Sequence, residues 1–236
     1  MQILQRILAI LLLCLLADNC WSAGSFDSYT EGFITSGPVL TVSATNPDCA
    51  NVVLIVGATK ESGGTFTSLT YNGDAMTQAS TTATFQFGTG LEVLAYLLAP
   101  DTGTNDIVAT FSDVTTDREM LVAGWYCGFD GIGNVAKANE NVTLSLTTTV
   151  NGSWVISSIG GISPADFSVS TTLSDERREY DQVNHSMALG DGIVATAGAV
   201  TVAWTSSLTA SQNGTVALEL KVAATPSGSR RVIFVN

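Results

Sequence analysis

Short stretches of apolar residues recur roughly every ten residues along the chain, and each one ends at Gly, Pro, Asn or Asp. The longest stretch, Glu119–Asp130, carries no charged residue from Met120 to Phe129 and closes at an Asp-Gly turn. Two similar runs are Val52–Thr59 and Trp154–Ile162. Short apolar runs that are bounded by turn residues are typical of fully buried strands. These three runs are therefore predicted to be central strands.

Between these runs, apolar and polar positions alternate, as in Asp106–Phe111, where Ile107 and Phe111 fall on one face. Asn72-Gly73 is a strong signal for a two-residue hairpin. Asp175–Asp181 fits either one helical turn or an exposed strand. The other predicted strands are Ser25–Phe33, Val39–Ala44, Phe66–Tyr71, Ala75–Ser80, Phe85–Phe87, Leu91–Leu98, Val142–Thr148, Ser168–Leu173, His185–Leu189, Ala199–Thr205 and Thr215–Val222. Closely spaced strands without a long helical pattern predict an all-β fold, and we expect a single antiparallel β-sandwich.

The N-terminal residues have the features of a secretory leader. One cation in Met1–Arg6 is followed by the apolar run Ile7–Ala17 and then by the small residues Ser22 and Ala23. We predict a hydrophobic leader helix over residues 1–23, the sandwich over residues 24–223, and a linker with a C-terminal strand or tail over residues 224–236. Contact with a membrane is expected only through the leader, if it is not cleaved.

Loss of the leader would remove Cys14 and Cys20 and leave Cys49 and Cys127. Two cysteines in a secreted chain are interpreted first as a disulfide. The alternative is a pair of separate buried thiols. Two cysteines and one histidine do not make up a zinc site.

The charge of the chain excludes several kinds of partner. Its net charge is −12, and only 13% of its residues are charged. An acidic surface with isolated basic residues does not suit nucleic acid or anionic lipid. We interpret the negative charge as a source of solubility for an extracellular domain. The alternative is that some of the carboxylates bind calcium.

Seven phrases of the sequence, taken in order, carry a resemblance to a known kind of module. They are VVLIVGA (Val52–Ala58), LTYNGDAMT (Leu69–Thr77), LEVLAYLLAPDTGTN (Leu91–Asn105), LVAGWYCGFD (Leu121–Asp130), SMALG (Ser186–Gly190), VTVAWT (Val200–Thr205) and VALELK (Val216–Lys221). Over Leu40 to Lys221 the chain resembles a β-sandwich module of secreted and surface proteins of bacteria and of phage and virus structural proteins. The resemblance implies a jelly-roll or immunoglobulin-like sandwich with a structural or adhesive role, and it supplies no catalytic residue.

The sequence offers little equipment for catalysis, and we predict that the protein is not an enzyme. His185 is the one histidine, and no Gly-x-Ser-x-Gly motif is present. We interpret His185 as an incidental loop residue. A pair of loop carboxylates is the alternative for a hydrolase. The candidates, which we interpret as a solvated rim, are Asp113, Asp117, Glu119, Asp175, Glu176, Glu179 and Asp181.

No cofactor is expected, with calcium as the one alternative. Loop aspartates supply the hard oxygen ligands that calcium prefers, and the candidates are Asp101, Asp106, Asp113 and Asp117. Trp125, Trp154 and Trp204 lie in apolar runs and are expected in the core. The aromatic residues expected at the surface, where a glycan would bind, are Tyr71, Phe85, Phe87 and Tyr180. Asn-x-Ser/Thr sequons begin at Asn141, Asn151, Asn184 and Asn213, and they carry glycans only if the source cell adds them.

These observations favour a secreted structural protein, namely a subunit or display module of a filament, surface layer or virion that forms a homo-oligomer or polymer. The terminal segments are expected to add as strands to a neighbouring copy. The residues expected to do this are Phe26, Tyr29 and Phe33 near one end and Val232, Ile233, Phe234 and Val235 at the other. The alternatives are a carbohydrate-binding or adhesive module and, third, a hydrolase that uses loop carboxylates.

Overall fold

The computed structural model describes residues 24–112, 118–182 and 184–222, and these residues form eighteen strands and one short 3-10 helix. The strands are β1 (Ser25–Ile34), β2 (Val39–Thr45), β3 (Val53–Lys60), β4 (Phe66–Tyr71), β5 (Asp74–Ala75), β6 (Thr77–Gln78), β7 (Ala83–Phe85), β8 (Gly90–Leu98), β9 (Thr104–Phe111), β10 (Glu119–Cys127), β11 (Phe129–Ala138), β12 (Thr143–Thr147), β13 (Ser153–Ile162), β14 (Phe167–Thr171), β15 (Asp175–Gln182), β16 (His185–Val194), β17 (Ala199–Ser206) and β18 (Asn213–Val222). The 3-10 helix is Ala210–Gln212. The predicted leader and C-terminal tail lie outside the described residues.

The strands form four antiparallel sheets. Sheet A has the order β1-β10-β3-β8-β6, with β7 also paired to β8, and sheet B has the order β2-β9-β4-β5. Sheet C has the order β11-β18-β13-β16-β15, and sheet D has the order β12-β17-β14. The all-β, antiparallel prediction is confirmed. The prediction of a single sandwich differs from the structure, since one sandwich has two sheets. The part of the chain that is described contains no helix long and apolar enough to cross a membrane.

Three hydrophobic cores hold the sheets in the layer order B, A, C, D. One core joins sheets B and A around Trp125, the second joins A and C around Tyr126 and Trp154, and the third joins C and D around Trp204. As expected, all three tryptophans are buried. Sheets A and C are therefore covered on both faces. This explains the continuous apolar runs of β3, β10 and β13, because a strand with two buried faces has no polar side to alternate with.

The chain is built from two halves with the same strand order. In residues 24–127 the first strand pairs with the last, and in residues 129–222 β11 pairs with β18 in the same way. Sheets A and C pack face to face, and their strands run across the sheets in opposite order. Thus β1 lies over β15, β10 over β16, and β3 over β13. This arrangement is a pseudo-twofold contact within one chain. Gly128 links the halves at φ 85°, a conformation that glycine adopts at little cost.

Small residues allow sheets A and C to approach closely at the centre of this contact. A Cβ atom placed on Gly57 would lie 3.1 Å from the Ser158 Cβ. One placed on Gly160 would lie 2.5 Å from both the Thr59 hydroxyl and a Glu92 carboxylate oxygen. Larger side chains would force the sheets apart, so these positions set the spacing of the two halves.

The predicted pairing of Cys49 with Cys127 is present as a disulfide with a Cα–Cα distance of 5.8 Å. Cys49 precedes β3 and Cys127 ends β10, and these two strands are antiparallel neighbours in sheet A. The bond therefore ties one end of the central strand pair of the first half.

Candidate functional site

The four aromatic residues predicted to form an exposed ligand-binding set do not lie together. Tyr71 and Phe85 are fully buried, Tyr71 against Trp125 and Phe85 stacked on His185 at 6.1 Å. Phe87 is 88% exposed in the turn after β7, whereas Tyr180 is half-buried in β15. The prediction is therefore wrong for Tyr71 and Phe85, because each lies on the strand face that points into a core.

The aromatic residues of the predicted N-terminal assembly strand all lie in β1. This strand is at the edge of sheet A, but it is hydrogen-bonded to β10 of its own chain. Phe26 packs edge-to-face on Tyr126 with ring centroids 5.4 Å apart, and Phe33 packs against the same core. Tyr29 is 47% exposed. The C-terminal candidates lie outside the described residues; they are Val232, Ile233, Phe234 and Val235.

Two of the predicted calcium ligands, Asp101 and Asp106, lie at one end of the outer face of sheet B. Asp106 helps to line an open hollow of about 440 Å³. Asp101 accepts a hydrogen bond of 2.8 Å from the amide of Asn72, another lining residue. Asp113 and Asp117 lie outside the described residues. Among the described residues, no three His, Cys, Asp or Glu side chains converge as a metal site would require.

The carboxylates considered for hydrolysis are divided between different places. The group from Asp175 to Asp181 belongs to β15, which is an edge strand of sheet C and not a helical turn. Glu119 is not on a solvated rim as expected, because it is fully buried beside Lys60 of β3. His185 begins β16, in agreement with the predicted strand His185–Leu189, and the interpretation of His185 as a loop residue is wrong.

An ion pair of sheet C lies at one end of the A–C contact, where Tyr126 and Phe26 of the first half meet it. Asp191 of β16 is 0% exposed and accepts two hydrogen bonds from the Arg177 guanidinium, at 2.6 and 2.7 Å. It also accepts the Tyr126 hydroxyl from β10 at 3.1 Å. The guanidinium lies 4.6 Å above the ring of Phe26. Burial raises the pKa of the Asp191 carboxyl, although the Arg177 and Tyr126 hydrogen bonds offset part of that rise.

Two unpaired titratable groups lie at the other end of the same contact. Glu92 of β8 and His185 of β16 are fully buried, and neither has a hydrogen-bond partner of normal geometry. Burial raises the pKa of Glu92 well above its ordinary value, while the nearby Ser158 and Thr59 hydroxyls lower it in part. Burial lowers the pKa of His185 to about 3, and the Arg118 and Lys60 charges add to that effect. The fold therefore accepts both groups in their neutral forms.

Acid is expected to destabilise the protein through His185. The folded-state pKa of about 3 is below the ordinary value of 6.5. The stabilisation that the neutral ring gives to the folded protein is therefore complete above pH 6.5 and is lost as the pH falls towards 3. Between pH 8 and pH 4, this group alone removes about 3 kcal/mol from the free energy of unfolding. Urea unfolding at the two pH values should show that H185F loses less stability than the wild type.

Glu92 changes the free energy of unfolding with pH in the opposite direction, and it therefore supplies the control. Its folded-state pKa is raised, so its contribution is complete below the ordinary value of 4.5 and is lost as the pH rises. E92Q should therefore gain more stability over the wild type at pH 8 than at pH 4. If H185F and the wild type change by the same amount between the two pH values, His185 is not the acid-sensitive group.

Sheet D has no charged residue in any of its three strands, which read TLSLT, FSVST and AVTVAWTS. Its outer face carries exposed hydroxyl side chains such as Thr143, Ser145 and Thr201. Its edge strands are β12 and β14. By contrast, three of the four edge strands of the inner sheets carry charges, for example Glu31 in β1 and Lys137 in β11. Among the four described sheets, sheet D is the one whose strands carry no charged residue, and it is the candidate assembly site.

Sequence analysis missed the buried charges Lys60, Glu92, Asp191 and Glu219. Each stands in or at the end of an apolar run, such as GLEVLAYLL around Glu92. A charged residue within a predicted buried strand is a usable signal, because burial requires it to be paired or neutralised. Glu219 illustrates the paired case, since it accepts hydrogen bonds from the Thr149, Val150 and Asn134 amides, which lower the pKa of its carboxyl.

Comparison of the chain with protein-family models, with curated proteins and with solved structures finds no match.

Proposed function

We propose that the protein is a secreted, non-enzymatic structural module that assembles with copies of itself into a filament, surface layer or virion. The observation that carries this proposal is the absence of charge from sheet D in a chain whose net charge is −12. Monomeric β-proteins commonly place Lys, Pro or a bulge on an exposed edge strand to prevent pairing with another chain. The edge strand β12 has none of these in TLSLT.

The open edge of β12 suits the addition of an extended strand. Its five residues alternate strictly between exposed and buried side chains. One of its carbonyl groups, that of Thr147, accepts a hydrogen bond from the Asn134 side chain at 2.7 Å. An incoming strand would gain main-chain hydrogen bonds along the rest of this edge. In our proposal that strand is the C-terminal segment Val232–Val235 of a neighbouring copy.

The type of sandwich that each half forms is part of the same proposal. Within each half, the first strand pairs with the last, and the second strand pairs with the strand before the last, as in β2-β9 and β12-β17. This nesting of outer around inner strand pairs is the order of a jelly roll. We therefore interpret each half as a small jelly-roll sandwich. Extracellular placement is supported by the disulfide and by the leader-like first 23 residues.

A lysine on the open edge should prevent assembly. Ser145 is exposed at the centre of β12, opposite Thr201, so S145K adds a charge without entering a core. Light scattering of the native wild-type protein should give a large particle, and S145K should reduce it to a monomer. The thermal midpoint should change little, because surface substitutions stay within roughly 0.5 kcal/mol.

T81K is the matched control, since it replaces an exposed hydroxyl residue with lysine in the connection between β6 and β7. It changes the net charge equally and should assemble like the wild type. A monomeric wild-type protein would contradict the proposal. Assembly of S145K to the wild-type size would instead exclude β12 as the contact.

A further inference from the structure

Lys60 and Glu119 form an ion pair that is fully withdrawn from solvent. They are direct cross-strand neighbours on β3 and β10. The Lys60 Nζ lies 3.4 Å from a carboxylate oxygen of Glu119, and both side chains are 0% exposed. The next pair outward, Glu61 with Arg118 at 3.1 Å, is about one quarter exposed. The transition from partly exposed to fully buried thus occurs within one residue.

Among the described residues, the side chains beside this pair on the same strand face are apolar. Alternation along β3 and β10 places both side chains on the face that packs against sheet B, with Ala58 and Leu121 as neighbours on the same face. The Lys60 Nζ lies 5.9 Å from the centre of the Phe111 ring. An ion pair in such a place costs free energy, because its attraction must repay the desolvation of two charges.

We propose that Lys60 and Glu119 condense into an intramolecular amide. The proton passes from the Lys60 ammonium to the Glu119 carboxylate, and the amine nitrogen then forms a bond to the Glu119 carboxyl carbon. The carbon–oxygen bond of the hydroxyl breaks, and one molecule of water leaves with a hydrogen from the amine. The reaction needs no oxidant, reductant or activated donor, since an ammonium and a carboxylate give an amide and water.

The fold supplies the two conditions that favour this reaction. The strand register holds the two groups in contact, and a fixed contact of this kind acts like a very high local concentration. Both side chains are 0% exposed, and this exclusion from solvent disfavours the return of water, which hydrolysis of the amide requires. Lys137 lacks these conditions, because its Nζ donates to the Thr82 carbonyl at 2.7 Å and its side chain is only partly buried.

The position of the pair agrees with a bracing role. In sheet A, β3 and β10 are antiparallel, and the Cys49–Cys127 disulfide joins them at one end. Lys60 and Glu119 lie at the opposite end of the same two strands. The amide would therefore complete a covalent ring around the central strand pair of the first half. This inference concerns one chain and does not depend on the proposed assembly.

Peptide mass spectrometry of the native protein tests the amide. The folded protein is incubated, reduced, denatured and digested with trypsin, which does not cleave after an acylated lysine. We expect a species in which the segment with uncleaved Lys60, ending at Arg118, is joined to the segment 119–137 with loss of one water, about 18 Da. A linear peptide uncleaved at both Lys60 and Arg118 has the same mass, so labelling of α-amino groups is included: the linked species carries two of them and the linear peptide one. Complete cleavage after Lys60, with the segment 119–137 recovered alone, would overturn the inference.

K60R is the matched variant, because arginine keeps the charge but has no amine that condenses in this way. K60M, which replaces lysine with an apolar side chain of similar length, serves the same purpose if the guanidinium does not fit. The linked species should disappear in both variants. Its persistence in either one would place the link at another lysine and would also overturn the inference.

Discussion

Replacement of Arg177 by alanine is expected to lower the free energy of unfolding by about 3 to 5 kcal/mol. Asp191 is 0% exposed and receives two guanidinium hydrogen bonds from Arg177. R177A would leave that carboxylate buried with the Tyr126 hydroxyl as its remaining partner. A charge that loses its partner inside a protein keeps its full desolvation cost. Urea unfolding monitored by circular dichroism measures the loss.

The neighbouring arginine provides a close control. Arg178 pairs with Glu31 of β1, but these side chains are 36% and 26% exposed. Water can replace an exposed partner, so R178A is expected to cost at most about 1 kcal/mol. Equal losses for R177A and R178A would show that burial of the Asp191 carboxylate does not control the effect.

The loss in R177A should also depend on pH. Burial already raises the pKa of Asp191 in the wild-type protein, and removal of the cation raises it further. A raised carboxyl pKa means that the contribution of Asp191 to the free energy of unfolding is complete at low pH and is lost as the pH rises. The deficit of R177A should therefore be smaller at pH 4 than at pH 8. A deficit that is constant with pH would indicate lost packing against Phe26 instead of an uncompensated charge.

Most strands could be predicted from the sequence, whereas the number of layers was missed. The predicted buried runs Val52–Thr59 and Trp154–Ile162 correspond to the inner strands β3 and β13. The run Glu119–Asp130 covers β10 and the start of β11, because the chain turns at Gly128 and not at the predicted Asp130-Gly131 turn. A strand of a two-layer sandwich has one face in water and so alternates. Continuous apolar runs in both halves imply that both faces are covered. Two stacked sandwiches satisfy that requirement, and a single one does not.

The buried site depends on contacts that sequence spacing does not reveal. Arg177 and Asp191 are 14 residues apart on neighbouring strands, and Tyr126 comes from the other half of the chain. The pairing of β15 with β16 brings Arg177 to Asp191, and the packing of sheet A on sheet C adds Tyr126. The burial of Tyr71 was predictable in principle, since it shares a strand face with Leu69, which is apolar. Its position next to a hairpin turn favoured the surface interpretation instead.

Removal of the disulfide gives the second large effect, and its size depends on the proposed amide. The bond joins residues separated by 78 positions. A loop of that length predicts a loss of about 4 kcal/mol when C49S and C127S are combined, because the unfolded chain regains its freedom. This full loss is expected in the K60R background, where the disulfide alone closes the loop between β3 and β10.

In the chain with Lys60 intact, an amide between Lys60 and Glu119 would already hold β3 to β10 in the unfolded state. The disulfide then closes only the shorter remaining ring, so its removal should cost about 1 kcal/mol less than in the K60R background. Thermal and urea unfolding of the four proteins, with and without C49S/C127S in each background, form a cycle that measures this coupling. Equal losses in both backgrounds would mean that no second covalent link closes the loop. An unchanged stability in the K60R background would mean that the disulfide does not constrain the unfolded chain.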